Sequence, residues 1–433
     1  MHTHDAANIL QQKINGNTWS EAIEMANFLH SHPYLLEAMD HYYGSTVKKA
    51  EQNKKWKILL ATYLRYPHVG GVSNYMTTLK EGLQRLGHHV EIASPNQIDI
   101  KRDLKRNVDD EIRRSTEQFC LKRYGQLSPM IVEEVSKLGV FEAMIQRMDL
   151  RKYDILHTHD RRAALILGKV NQSLQKPLFY TPHQLGVHRM NELRKDSVEY
   201  AFFQRLDLAA LEYARKVILV CDMFRAPFTE IGADPSRFVT VHTGVSFQPI
   251  APTSRDGKVI ITCITRLEPH KGVTYLLDAL SLIPSDLQNV EVRVVGDGAQ
   301  KAELIKKARA LKLSNVSFLG ARSDIAELLS QSDIFVHPAI EDTFPLSIIE
   351  AMFASQAIIS TTVGGIPELI RNKVTGVLLE PANARQLAGA CRALILDRTV
   401  RQKLGANAKA YANKFLTADH MVKKIESVYR TYI

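Results

Sequence analysis

The sequence predicts an α/β protein with two doubly wound parallel sheets. Short runs rich in Val, Ile and Leu alternate with helical segments along most of the chain, which is typical of parallel strands joined by helices. A stretch with the composition of a linker, residues 249–257 (PIAPTSRDG), divides this alternation into two series. We therefore expect two Rossmann-like domains that face each other across a cleft, with the ligand at the carboxyl ends of both sheets.

The composition is that of an ordinary globular protein. The chain has 433 residues, and 56 Lys plus Arg against 46 Asp plus Glu give a formal charge of +10, which favours anionic partners. Four scattered cysteines without a CxxC pair argue against a disulfide scaffold or a zinc module. Because no apolar run approaches the ~18 residues of a membrane span and the N-terminus lacks an apolar signal core, we expect a cytoplasmic protein.

The periodicity assigns the elements in chain order. Residues 1–55 have helical spacing and predict an N-terminal helical extension. Residues 56–250 open with the strand KILLATY, a Pro/Gly loop and a helix, and predict the first domain, with a basic helical insertion between Ile98 and Leu150. Residues 256–415, from VIITCIT onwards, predict the second domain. Residues 416–433 predict a final helix beyond the last strand, free to cross back to the first domain.

Two cations mark the start of the second domain. Arg266 and Lys271 lie in TRLEPHKG, between the strand VIITCIT and the next helix. The free N–H groups and positive dipole of a helix N-terminus, together with two cations, suit a diphosphate. Two solvated surface cations are the plainer interpretation, and the other motifs decide between the two.

Acidic residues lie farther along the same domain. Glu350 stands among apolar residues of the helical segment EDTFPLSIIEAM, where a carboxylate is costly unless hydroxyls such as those of a ribose donate to it. An exposed helix edge is the alternative position for Glu350. Glu341 and Asp342 precede this helix, and an acid in that loop either binds sugar hydroxyls or caps the helix.

The first domain offers a glycine pair and a histidine. Gly70 and Gly71 follow the first strand, where a turn without side chains lets main-chain N–H groups approach a phosphate or a sugar. His183 comes at the end of FYTPH and is expected to project into the cleft, although a lone histidine is often structural. His157 and His159 are two residues apart, as in a metal pair, but no third ligand accompanies them, so we expect no metal.

Other chemistries lack their motifs. The sequence contains no HExxH, Walker A or GxSxG pattern, which excludes zincin, P-loop and serine-hydrolase sites. The GDG at 296–298 lacks the third glycine of a dinucleotide fingerprint.

Six motifs in a fixed order resemble those of a known enzyme family. GGVSNY, TPHQLG, TRLEPHKG, VVGDG, EDTFPLSIIEAM and GGIPELI are similar to the motifs of the retaining GT-B glycosyltransferases of family four, the glycosyl transferases group 1. The resemblance covers about residues 56–415 and implies the GT-B fold, a hexosyltransferase-type activity (EC 2.4) and metal-independent chemistry without a cofactor. The expected reaction moves a sugar from a nucleotide-sugar to an acceptor hydroxyl in cell-surface glycan or glycolipid synthesis. The expected donor is a UDP-sugar.

The resemblance also assigns roles to residues. It implies that Gly71 contacts the donor phosphate or sugar, that Arg266 and Lys271 bind the diphosphate, and that Glu350 binds the ribose. His183 matches the family's active-site histidine near the transferred sugar. Together with His183, Arg266 and Lys271, Asp342 is assigned to catalysis, and the remaining donor contacts are Glu341, Phe344 and Leu346.

Three positions depart from the family pattern. The family's Glu–seven residues–Glu spacing, counted back from Glu350, reaches Asp342 rather than Glu341, which leaves open which acid contacts the donor sugar. The PNG turn reads HTGV at 242–245, and Ser355 stands where the family usually has glycine. Both of these are expected to be tolerated changes in loops.

Two other functions stay open at this point. A nucleotide-sugar epimerase or an inverting transferase on the same fold is the nearest enzyme alternative. A basic anionic-surface or nucleic-acid binder with a vestigial site is an alternative of another class, supported by Arg113, Arg114, Lys122 and Arg123 of the insertion. Because stacking aromatics do not accompany these cations, nucleic acid is not expected. The expected partners are a nucleotide-sugar donor, a saccharide, lipid-linked or cell-wall acceptor, and the anionic inner membrane face as a peripheral contact.

Overall fold

The computed structural model describes residues 54–433 except 69, 99–101, 190–192, 252–256 and 285–288. Each half of this region contains a six-stranded sheet in which every pairing is parallel. The predicted two-sheet α/β fold is therefore confirmed, whereas the predicted helical extension over 1–55 lies almost wholly outside the described residues.

The first sheet has the strand order β2-β1-β3-β4-β5-β6. Its strands are β1 (Lys57–Ala61), β2 (His89–Ala93), β3 (Ile155–Thr158), β4 (Leu178–Tyr180), β5 (Lys216–Leu219) and β6 (Phe238–Thr240). Its helices are α1 (Gly71–Arg85), α2 (Arg102–Tyr124), α3 (Pro129–Ile145), α4 (Arg161–Asn171), α5 (Val198–Tyr213) and α6 (Arg225–Glu230). The central strands carry side chains that are buried on both faces, which a parallel sheet covered by helices requires.

The second sheet has the order β12-β11-β10-β7-β8-β9. Its strands are β7 (Val259–Ile264), β8 (Val290–Val295), β9 (Val316–Gly320), β10 (Ile334–His337), β11 (Ala357–Thr361) and β12 (Val377–Leu379). The helices from this point to the C-terminus are α7 (Val273–Ser281), α8 (Lys301–Ala310), α9 (Ile325–Ser330), α10 (Leu346–Phe353), α11 (Ile366–Leu369), α12 (Ala384–Leu396), α13 (Arg398–Phe415) and α14 (Ala418–Tyr432). None of the described helices combines the length and the apolar character that crossing a bilayer requires.

The basic insertion forms a helical hairpin of α2 and α3. Gly139 of α3 lies so close to Ile112 of α2 that a Cβ on the glycine would meet the Ile112 side chain at 2.1 Å. The hydroxyl of Ser136 also donates to the carboxylate of Asp109 on α2. Small residues in α3 thus allow the two helices to pack closely beside the sheet.

The C-terminal helix α14 packs against α1 of the first domain. Val422 of α14 fills the space beside Gly82, and Arg85 pairs with Asp419 across the contact. The hydroxyl of Tyr429 lies 2.6 Å from Nδ1 of His157, a fully buried residue of β3. The last helix therefore belongs to the core of the first domain, although it follows the second domain in the chain.

Ser355 has an unusual backbone conformation. It follows the C-cap of α10 with φ of +59°, in the left-handed region that glycine occupies without strain. This conformation explains why glycine suits the position. A serine there strains the backbone locally, so the expectation that Ser355 is a tolerated loop change is wrong.

Candidate active site

The turn before α7 and the loop after β10 meet at the carboxyl end of the second sheet. The carbonyl oxygen of His270 accepts from the main-chain N–H groups of Ile340 and Glu341, at 2.8 and 3.1 Å. Gly272 caps α7 with φ of +68°, and a Cβ there would lie 2.0 Å from the carbonyl oxygen of Pro338. Only glycine fits this approach, which brings Lys271 and the 338–342 loop together.

Lys271, Asp342 and His337 form one buried cluster. Oδ2 of Asp342 lies 2.6 Å from Nζ of Lys271 and 2.8 Å from Nε2 of His337, while Oδ1 accepts from the N–H of Thr343 at 2.9 Å. The side chains of Lys271 and Asp342 are only 11% and 12% exposed. Burial alone raises the pKa of Asp342, but hydrogen bonding and charge from His337 and Lys271 hold this pKa well below its ordinary value. Asp342 is therefore a carboxylate that fixes the Lys271 ammonium.

Arg266 is exposed and, within the described part of the chain, makes no ion pair. It lies between β7 and the turn that carries Lys271. A guanidinium that is not paired with a carboxylate can donate hydrogen bonds to phosphate oxygens.

Glu350 lies on α10, partly buried and without a hydrogen-bond donor to its carboxylate among the described residues. Burial raises its pKa to about 7. Hydroxyl groups that donate hydrogen bonds to both oxygens would stabilise the ionised form of this partly buried carboxyl group. Phe344 is buried and Leu346 begins the same helix.

Glu368 joins the two domains beside this loop. Its carboxylate accepts from the N–H groups of Asp222 and Met223, at 2.8 and 3.0 Å, and pairs with Nε2 of His242 at 2.9 Å. The imidazole of His242 in turn stacks on Phe344, with ring centroids 5.4 Å apart. The sequence alone does not identify Glu368, although the residue lies in the motif GGIPELI, because nothing in the motif says what its acid contacts.

The first domain contributes a separate pocket of about 280 Å³ at the carboxyl end of its sheet. His183, Gln184 and Gly186 line one side of it, and His159 and Asp160 line another. The loop of His183 is held by Asp207 of α5, whose Oδ2 accepts from the N–H of Val187 at 2.6 Å. Asp207 also pairs with Arg161 at 2.9 Å, and both residues line the pocket, so this ion pair is part of its wall.

Three imidazoles pack in a row, and two of them, those of His183 and His159, line this pocket. Nε2 of His183 lies 3.4 Å from Nδ1 of His159, and the rings of His159 and His157 are 4.4 Å apart. Burial lowers the pKa of His183 to about 4 and that of His157 to about 3, and it lowers the pKa of His159 well below its ordinary value. The three side chains are therefore neutral near pH 7.

The spacing of His157 and His159 does not produce a metal pair. Both ring nitrogens of His157 are engaged, with Tyr429 at 2.6 Å and Thr181 at 2.8 Å, so this imidazole has no free lone pair. No cluster of three or more His, Cys, Asp or Glu suited to a metal ion occurs in the described residues.

Gly71 begins α1, whose N-terminus has no side-chain cap. Among the described residues other than its chain neighbours, no heavy atom lies within 4 Å of the place where a Cβ would stand. The helix end therefore faces open space, and its first N–H groups are available to an anion.

His337 was not singled out from the sequence. It ends the buried strand IFVH, and a polar residue at the end of such a strand is the signal that would have identified it. The structure thus brings together Lys271, Asp342 and His337, whereas Arg266 and Glu350 stay predicted members of the candidate site in the second domain.

Two family models match consecutive parts of the chain. The model described as glycosyl transferases group 1 matches residues 247–411, and the model described as glycosyltransferase family 4 matches residues 69–248.

Curated relatives are similar over most of their length. The UDP-Gal:alpha-D-GlcNAc-diphosphoundecaprenol alpha-1,3-galactosyltransferase of Escherichia coli is 24% identical over 377 residues, 82% of this chain and 94% of that protein. The D-inositol 3-phosphate glycosyltransferase of Rhodococcus erythropolis is 26% identical over 317 residues, 66% of this chain and 72% of that protein.

Solved structures share the fold. Sucrose-phosphate synthase from Thermosynechococcus elongatus superposes with a TM-score of 0.68 at 20% identity, over 87% of this chain and 99% of that one. Anabaena HepE in complex with UDP and glucose gives a TM-score of 0.64 at 19% identity, over 87% and 100%.

Proposed function

Since this chain belongs to the GT-B glycosyltransferases of the family 4 type and is a transferase of class EC 2.4, we propose that it moves a sugar from a UDP-sugar to a glycan or glycolipid hydroxyl with retention of configuration. The ion pair of Lys271 with Asp342, at the N-terminus of α7, is the observation that carries the proposal. The pair holds the ammonium group of Lys271 in place beside the positive end of a helix dipole, which suits the diphosphate of a donor.

The donor lies against the second domain in this proposal. Arg266 and Lys271 bind the diphosphate, and the ribose hydroxyls donate to Glu350. The absence of a donor to Glu350 among the described residues supports this assignment, because a partly buried carboxylate needs one. Gly71 contributes the uncapped N-terminus of α1 from the first domain. Glu341, Phe344 and Leu346 complete the donor contacts that the family resemblance implies.

The chemistry rests on charge at the leaving group. As the bond from the anomeric carbon to the diphosphate breaks, negative charge grows on the β-phosphate, and Lys271 and Arg266 stabilise it. The acceptor oxygen attacks from the face that the phosphate leaves, and the phosphate takes the hydroxyl proton, so the configuration is retained. No metal or cofactor takes part in this proposed reaction.

The acceptor occupies the pocket of the first domain. Its volume of about 280 Å³ suits one sugar ring with a few directional contacts. A neutral His183 supplies a polar contact for hydroxyl groups, and Asp160, whose carboxylate already caps α4, forms part of the pocket wall. Saccharide, lipid-linked and cell-wall acceptors are all consistent with these contacts, and a cytoplasmic site of action stays a prediction.

Nucleotide binding and product stereochemistry test the function. UDP should raise the melting temperature more than GDP or ADP at equal concentration, because a ligand of the native state stabilises it by mass action. NMR of the product should show the anomeric configuration of the donor. Inversion at the anomeric carbon, or isomerised donor without transfer, would favour the inverting transferase or the epimerase instead. Binding of none of the three nucleotides would contradict the donor site itself.

A further inference from the structure

A second and larger cavity lies away from the active site, between the helices of the insertion and α5. Its volume is about 700 Å³, the size of a small-molecule site. Residues of α2, α3 and α5 line it, and we call it the insertion groove; they include Phe119, Cys120, Ile131, Val135 and Phe202. Apart from Ser115, Thr116 and Arg205, and the hydroxyl of Tyr124, the lining is apolar.

The segment from α2 to the start of α3 exposes large apolar side chains, of which Phe119 and Tyr124 line the insertion groove. Phe119 is 58% exposed, and four more of these side chains follow it within eleven residues: Leu121, Tyr124, Leu127 and Met130. The other exposed large apolar residues of the described chain are scattered over many elements. A cluster of this kind marks an interaction surface, because exposed apolar area is otherwise kept small and dispersed.

Two cations stand beside these apolar side chains. Lys122 and Arg123 follow Phe119 by three and four residues, so they lie on the same face of α2, one turn further along. Within the described residues neither of them forms an ion pair. Apolar side chains flanked by unpaired cations match the surface of an anionic bilayer, where acyl chains lie just below phosphate groups.

A second copy of the chain fits this surface less well. An isologous dimer with its two-fold axis at Lys122 and Arg123 would bring these cations towards the same cations of its partner, and like charges at an interface are unfavourable. We propose that the insertion groove docks the protein on an anionic lipid bilayer, with an acyl chain in the groove and lipid phosphates on Lys122 and Arg123.

The position of α5 links this surface to the active site. Val198, Phe202 and Arg205 face the groove, whereas Phe203 and Asp207 lie on the opposite side of the same helix. Asp207 holds the loop that carries His183. A bilayer at the groove is therefore one helix away from the acceptor pocket, which suits an acceptor that resides in the membrane.

Vesicle cosedimentation of the full-length protein tests the docking and needs neither donor nor acceptor. The protein should bind vesicles of equal parts phosphatidylglycerol and phosphatidylcholine, and bind much less to phosphatidylcholine alone. The double substitution Lys122→Gln and Arg123→Gln should lower the partition coefficient about 30-fold, since each cation near an anionic surface strengthens membrane binding about fivefold. Phe119→Ser should lower it about tenfold.

Matched variants control for charge and apolarity. Lys306→Gln with Arg309→Gln removes two exposed cations from α8, and Leu396→Ser removes an apolar side chain that is 62% exposed. Both should bind vesicles as the parent does. Equal losses in the control variants, or equal binding to neutral vesicles, would overturn the proposal.

Photo-crosslinking from position 124, which lines the groove, identifies the occupant directly. A photoreactive side chain in place of Tyr124 should label lipid in anionic vesicles. Labelling of protein instead, or a dimer by light scattering that Phe119→Ser dissociates, would show that protein covers the groove and would refute lipid docking. Unchanged UDP binding in the groove variants separates this result from a failure of the proposed transferase function.

Discussion

Asp342 holds Lys271 and His337 with a single carboxylate oxygen, at 2.6 and 2.8 Å. The pair is almost buried, and Lys271 lies at the start of α7, where a donor diphosphate is proposed to bind. A preorganised ammonium loses little free energy to reorganisation when charge develops on a leaving group. The cluster therefore separates two roles, since Asp342 positions the cation and Lys271 meets the phosphate.

Asp342→Asn tests this separation of roles. The substitution should lower kcat about 100-fold. It should also lower the affinity for UDP and the affinity for the UDP-sugar by equal factors, because the carboxylate acts through Lys271, which binds the diphosphate of both. It should also cost about 3 kcal/mol of stability, since a buried cation loses its partner. Calorimetric titration with UDP and UDP-sugar measures the two affinities.

Glu341→Gln is the companion to that variant. If Glu341 contacts the donor sugar, its loss should weaken UDP-sugar binding and leave UDP binding unchanged. A loss confined to the UDP-sugar in Asp342→Asn instead would assign the sugar contact to Asp342.

Lys271→Ala removes the charge itself. Turnover should fall by about 10² to 10³, the usual cost of losing a fixed electrostatic contact to the transition state. Steady-state kinetics with the native donor measure the change. Lys306→Ala, an exposed lysine on α8, serves as the control and should keep parental turnover. Turnover of Lys271→Ala within a few-fold of the parent, in a folded protein, would remove Lys271 from the reaction.

Glu350→Gln should stabilise the free protein at alkaline pH. Burial raises the pKa of Glu350 from 4.5 to about 7, so its contribution to stability is complete below pH 4.5 and is lost as the pH rises through 7. At pH 8 the variant, which cannot ionise, should be more stable by on the order of 2 kcal/mol. Chemical denaturation at pH 4 and pH 8 should show the gain only at pH 8.

The same residue should make nucleotide binding depend on pH. Ribose hydroxyls donate to the ionised carboxylate, so binding releases a proton and UDP affinity should increase as the pH rises through about 7. Glu350→Gln should bind UDP more weakly and lose that part of the increase. Because the phosphate of UDP titrates equally with both proteins, the difference between their affinity profiles isolates Glu350. Parallel profiles would contradict a ribose contact.

Gly71→Ala should separate folding from donor binding. A Cβ at this position meets no atom of the described residues within 4 Å, so the melting temperature should stay the same or rise slightly with the better helix former. If the donor approaches the N-terminus of α1, the new methyl group should lower kcat/KM at least tenfold. A variant with parental kcat/KM would place the donor elsewhere.

Ser355→Gly should stabilise the protein by about 1 kcal/mol, because φ of +59° costs a side-chain-bearing residue more than glycine. Denaturant unfolding at pH 7 measures the gain. Ser347→Gly, within α10 where φ is helical, is the control and should destabilise by a similar amount. Destabilisation by Ser355→Gly would show that the serine side chain stabilises the turn.

Local pattern was enough to predict the fold. Alternation of apolar strands with amphipathic helices indicated two parallel sheets, since each strand and helix records its own burial in its composition. The motifs likewise singled out Lys271, Asp342 and Glu350, because cations before a helix and acids within an apolar helix are visible as neighbours in the chain.

Contacts between distant segments were decided by the tertiary structure alone. Asp342 accepts from Lys271 across 71 positions of sequence, Glu368 reaches the N–H groups of Asp222 and Met223 in the other domain, and Tyr429 meets His157 across 272 positions. Each contact forms only when two elements from distant parts of the chain pack against each other at a particular distance and orientation. The residues next to a side chain in the sequence indicate whether its strand or helix is buried, but they do not indicate which distant element packs against it.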